Sequence, residues 1–143
     1  MLPSELVKYK QNFQKIIALT AWDSISGSLA EQSGADIVLV GDSLAMVCLG
    51  YKSTLPVTLE NMIYHTNAVS RGFSKEIEDQ SLLVCDMPFL TYQCGENKAV
   101  EYAGKIIKNR LSTQSFYNVS DNKDTGASIP EFLRLRQNKK DIE

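Results

Sequence analysis

The sequence is short of the features that mark a membrane protein, a disulfide scaffold or a histidine metal centre. No apolar run approaches the roughly 20 residues that span a bilayer. The N-terminal stretch MLPSELVKYKQNFQK is polar and mixed in charge, without the apolar middle of a secretory signal. The expected location is therefore cytoplasmic. Cysteine is scarce: Cys48, Cys85 and Cys94 form no CxxC pair and no regular spacing, and read as reduced, unpaired thiols. A single histidine, His65, argues against a multi-histidine metal site. Neither sign of charge dominates, with 15 Lys and Arg against 17 Asp and Glu for a net charge of -2. Neither a nucleic-acid nor a membrane surface is expected.

What is present is a repeating pattern. The 143 residues suit one domain, and 43% hydrophobic with 22% charged is ordinary globular composition. Residues 3–12 read as a short amphipathic helix, with Leu6, Val7 and Tyr9 among polar neighbours. Lys15–Thr20 (KIIALT) is a short apolar run, suited to a strand buried on both faces. Asp23–Ser33 follows with Ile25, Leu29 and Ala30 at helical spacing, and Gly34 stops it as a C′ glycine. The unit then repeats. Asp36–Gly41 (DIVLVG) is a second buried strand, and a long connection runs from Asp42 to Val57. Thr58 is a candidate N-cap for a helix with Leu59, Met62, Ile63 and Thr66 on one face, ended by Gly72. After the polar SKEIEDQ come a third strand at Ser81–Asp86, the connection PFLTYQCG, and a helix over Glu96–Lys108. Its apolar positions are Ala99, Val100, Ala103, Ile106 and Ile107.

Strand and helix in alternation mean β/α units around a parallel sheet, an α/β fold. Such folds place ligands at the C-terminal ends of the strands. That points to Thr20–Asp23, Gly41–Gly50 and Asp86–Gln93. The character breaks after Asn109: residues 110–143 form a divergent tail, polar and without a clear period. One short helix could run through Ile129, Phe132, Leu133 and Leu135, but no fourth buried strand is visible.

Two aspartates directly follow apolar strands, Asp42 in VLVGDS and Asp86 in LLVCDM. Carboxylates from neighbouring strand ends can share one hard cation such as Mg²⁺, which takes few carboxylates and fills its other positions with water and substrate. Helix capping or a turn is the plainer reading of the same aspartates, and two aspartates without a third ligand are a weak metal signal. Ser43 could hydrogen-bond a substrate carboxylate or serve as an N-cap or turn serine. His65 reads as an ordinary helix residue, and Lys52 as a solvated loop lysine that could also meet an anion.

The run from TAWD to SRG closely resembles the N-terminal region of ketopantoate hydroxymethyltransferases. The matching blocks are TAWD (20–23), LVGDSLAMV (39–47), LGYKSTLPVTL (49–59), HTNAVSRG (65–72) and CDMPFLTYQ (85–93). They stand in the family's order and spacing and cover about residues 15–109. The resemblance implies a (β/α)8 TIM-type barrel, of which this chain holds the first three β/α units. It implies transfer of a hydroxymethyl group from the co-substrate 5,10-methylenetetrahydrofolate to a small 2-oxo acid, 3-methyl-2-oxobutanoate, giving 2-dehydropantoate for pantothenate synthesis. It further implies Mg²⁺ chelated by the substrate's keto and carboxylate oxygens, with Asp42 and Asp86 at that metal and substrate site and Ser43 on the substrate carboxylate. Metal on the keto oxygen stabilises the enolate left when a separate base removes the neighbouring proton. Family members are homo-oligomers.

The chain also departs from that pattern. The family's fourth strand brings a lysine and a glutamate, a later strand a histidine, and a further glutamate is the expected base. None of these motifs is found here, so no residue is assigned as catalytic. LSTQSFYNV (111–119) resembles a downstream family segment of the form LTPQSF, as if a block containing strand four were lost. A full barrel takes roughly 250 residues. Three readings follow: the hydroxymethyltransferase, a truncated and catalytically inactive remnant keeping part of the metal site, and another metal-dependent enolate enzyme on a similar barrel. The run LGYKSTLPVTL speaks against the last.

Overall fold

The computed structural model describes residues 3–76 and 79–109. Its elements run α1 (Pro3–Gln11), β1 (Ala18–Thr20), α2 (Ser24–Gln32), β2 (Ile37–Val40), α3 (Leu44–Val47), α4 (Leu59–Gly72), β3 (Leu82–Cys85) and α5 (Glu96–Asn109). The three β/α units expected from the sequence are present, and α3 adds one turn inside the long second connection. The 110–143 tail, with the short helix expected in it, lies outside the described residues. No described helix is long and apolar enough to cross a membrane.

The sheet is parallel in the order β1-β2-β3, so each strand pairs with its neighbour in sequence. The register sets Thr20 beside Leu39, and Val40 beside Cys85. Side chains alternate between faces along each strand. One face carries Val38, Val40, Leu83 and Cys85, which join Met62 and Val69 of α4 and Ala30 of α2 in the core. The other face carries Ile37, Leu39, Leu82 and Val84, only half-buried. We call it the open face.

Local signals explain where the helices start and stop. Asp23 and Thr58 are N-caps, each in a reciprocal capping box with the residue three further on, Ser26 and Asn61. Gly34, at φ +82°, closes α2 with Gly34 N–H donating to the Glu31 carbonyl and Ala35 N–H to the Ala30 carbonyl, a Schellman motif. Gly72, the last residue of α4, serves packing instead. A Cβ there would stand 2.0 Å from the Ser24 carbonyl oxygen, and one on Gly27 would stand 2.8 Å from that of Val69. Glycine at these two positions lets α2 and α4 meet backbone to backbone.

Two expectations are corrected. The run at Lys15–Thr20 forms a strand only at Ala18–Thr20, and that strand is exposed rather than buried on both faces. It pairs only with β2 among the described residues, and no described layer covers its open side. In α2, Ile25 and Leu29 are 72% and 63% exposed, while Gly27, Ala30 and Glu31 are buried. The close glycine contact turns the small-residue face of α2 inward. Glu31 is wholly buried there and uses Oε2 to accept the backbone N–H groups of Ser74 at 2.7 Å and Lys75 at 3.2 Å. It thereby fastens the segment after α4 to α2.

Candidate functional site at the strand ends

The chain leaves β2 at Gly41 and β3 at Asp86. The ladder runs one step further, with Asp86 N–H donating to the Val40 carbonyl at 3.0 Å. Continuing the alternation, Gly41 and Asp86 share a row on the open face above Leu39 and Val84. Asp42 N–H then donates to Asp86 Oδ2 at 3.2 Å, tying the first turn after β2 to the carboxylate after β3. A Cβ on Gly41 would lie 3.2 Å from Ser43 Oγ and 3.6 Å from Asp86 Oδ2, so these groups flank the space that glycine leaves. Ser43 occupies the N-cap position of α3, yet its side chain makes no capping hydrogen bond. Ser43 Oγ therefore does not cap α3, and the structure brings the Asp42 backbone amide, the Ser43 hydroxyl and the Asp86 carboxylate together at the strand ends.

The donor chemistry suits a hard cation. A carboxylate offers about four lone-pair positions, so an N–H on Asp86 Oδ2 is compatible with ligation. Among the described residues no three His, Cys, Asp or Glu side chains gather as a metal-holding group. Mg²⁺ is commonly held by one or two carboxylates with substrate and water completing its shell, and the Asp86 carboxylate at the strand end is a donor of that kind.

The β1–α2 turn borders this site. Asp23 Oδ1 accepts both the Ser26 N–H and the Ser26 hydroxyl at 2.7 Å. The backbone N–H of Ser26, and next its hydroxyl, hold the Asp23 carboxyl below the usual carboxylate range. Ser26 Oγ in return accepts the N–H groups of Trp22 at 3.0 Å and Asp23 at 3.1 Å. From α4, His65 Nδ1 donates to the Trp22 carbonyl at 2.7 Å. A carbonyl only accepts, so Nδ1 carries the proton. This link was missed in the sequence, because a histidine and a carbonyl 43 residues apart leave no local signal.

The three cysteines are free, as expected. Burial pushes the Cys85 thiol up to about 11, and burial and then the charge of Asp23 push Cys48 up. A cavity of about 450 Å³, lined by Glu5, Tyr9, Asp36, Lys75, Gln80 and Ser81, opens at the opposite, N-terminal end of the strands. It is remote from the aspartate pair.

Helices packed on one face of a parallel sheet, with acidic groups past the strand ends, define a β/α protein consistent with part of a TIM-type fold. The profile of the ketopantoate hydroxymethyltransferase family matches residues 2–114, and the chain belongs to that family. A 3-methyl-2-oxobutanoate hydroxymethyltransferase of Prochlorococcus marinus subsp. pastoris is 95% identical over 109 residues, 76% of this chain and 42% of the relative. One from another Prochlorococcus marinus strain is 83% identical over the same shares. One from a Synechococcus species is 59% identical over 108 residues, 76% of this chain and 40% of the relative. The chain thus spans about two fifths of the length of the curated relatives it matches.

Proposed function

We propose that this chain carries the metal and 2-oxo acid part of a hydroxymethyltransferase site. The reaction is transfer from 5,10-methylenetetrahydrofolate to 3-methyl-2-oxobutanoate, giving 2-dehydropantoate. The observation that supports it most is the Asp42–Asp86 pair, joined by a hydrogen bond across adjacent strand ends beside the Ser43 hydroxyl. Asp42 and Asp86 would hold Mg²⁺, and Ser43 would donate to the substrate carboxylate. Bound there, the ion supplies Lewis acidity to the keto oxygen. Gly41 leaves room for the small acid, and the Asp42 N–H fixes the Asp86 carboxylate. The base for the proton beside the keto group is not assigned to any described residue. A homo-oligomer in the cytoplasm is the setting the resemblance favours.

The purified chain, given Mg²⁺ and both substrates, should form 2-dehydropantoate detectable by mass spectrometry. Asp86→Asn should abolish it. Product at background from the unaltered chain, with Mg²⁺-dependent binding of the 2-oxo acid retained, would identify the inactive remnant instead. Loss of both would overturn the site.

A further inference from the structure

Trp22 lies where the β1–β2 ladder ends. Ala21 N–H donates to the Leu39 carbonyl at 3.0 Å, and Ala21 is 2% exposed in the core. Alternation then sends the next residue to the opposite side, the open face, in the row of Gly41 and Asp86. Trp22 is 37% exposed, although it is the largest apolar side chain in the sequence. Its backbone is gripped at both ends. Ser26 Oγ accepts its N–H, and His65 Nδ1 donates to its carbonyl at 2.7 Å. The Ser26 contact stays within the turn. The His65 contact is a side-chain hydrogen bond that reaches the turn from α4, the helix behind β2 and β3, ahead of the backbone contact that α2 makes with the same helix.

We propose that His65 is a positioning residue: its Nδ1–H, bonded to the Trp22 carbonyl, sets the β1–α2 turn so that Trp22 forms a side wall of the Asp42–Ser43–Asp86 site. The indole gives the branched apolar end of a 2-oxo acid a surface to pack on, while Ser43 and the aspartates face its polar end. The ligand half of this inference rests on the function proposed above; the positioning half does not.

Trp22 is the only tryptophan in the 143 residues, so its emission reports on this turn alone. The experiment compares the full chain with His65→Phe, which keeps a ring but loses the donor, and with His65→Asn, which restores a donor at the same reach. Circular dichroism melts confirm that each variant folds. His65→Phe should shift Trp22 emission to the red, raise its quenching by acrylamide about twofold, and weaken binding of 3-methyl-2-oxobutanoate with Mg²⁺ about tenfold. His65→Asn should recover most of all three. Unchanged emission and quenching in a folded His65→Phe would overturn the positioning role. Changed emission with unchanged binding would overturn the wall. If the unaltered chain binds no 2-oxo acid, the site reading and the wall fail together, and the emission comparison still decides the role of His65.

Discussion

Asp86 answers two partners, the ladder through its amide and the Asp42 N–H through its carboxylate. Asp86→Asn keeps the shape and removes the charge, so Mg²⁺ affinity measured by calorimetry should fall at least tenfold while the melting temperature changes little. Wild-type affinity in that variant would remove Asp86 from the proposed metal site. Asp23 makes a second case, with a sign that can be worked out. Its carboxyl titrates lower folded than unfolded. The cap's stabilisation is therefore complete above the unfolded value and fades as pH falls through the folded one. Asp23→Ala should cost about 1 kcal/mol in denaturant melts at neutral pH. The difference from wild type should vanish in strong acid. Cys85, half-buried and with its thiol pushed up to about 11, should resist iodoacetamide in the native chain, while exposed Cys48 and Cys94 label. Position after an apolar run raised Asp42 and Asp86 as candidates in the sequence, and the family resemblance made them the site assignment. The same rule could not mark His65, whose role is a bond to a backbone carbonyl on another element.

Between elements, the α2–α4 joint is the tightest contact described. Gly72→Ala would drive a methyl group into the Ser24 carbonyl, which is backbone and cannot swing aside. We expect a loss of about 3 kcal/mol, the upper end of overpacking penalties, read as a lowered denaturation midpoint. Glu31→Ala should cost about 2 kcal/mol by stranding the Ser74 and Lys75 amides and leaving a void. A midpoint within error of wild type would show that water replaces the carboxylate. Although each strand packs only one face into the core, the positions of the second and third strands and the face of α4 were legible from apolar runs and 3.6-residue spacing. The inward face of α2 was not. Its contact is made by Gly27, which carries no hydrophobic signal, and by Glu31, whose charge suggests the surface. β1 misled for the converse reason, since an apolar run states what a strand can bury and not whether a second layer arrives.

Over the molecule as a whole, the described residues build one covered face and one open face. Ile16, Ile17 and Leu19 around β1 and Phe89, Leu90 and Tyr92 after β3 are exposed. Apolar surface on this scale seeks cover. The chain should enhance the fluorescence of the dye ANS and sediment faster as its concentration rises. A constant sedimentation coefficient over a dilution series would argue against self-association through these surfaces. The β1-β2-β3 order also carries a consequence for synthesis. Each strand needs only the one before it, so pairing can keep pace with a chain leaving the ribosome from its N-terminus. Asp42 waits only 44 residues for Asp86. The Asp42 amide and the Asp86 carboxylate can therefore come together during translation, as soon as β3 emerges to pair with β2.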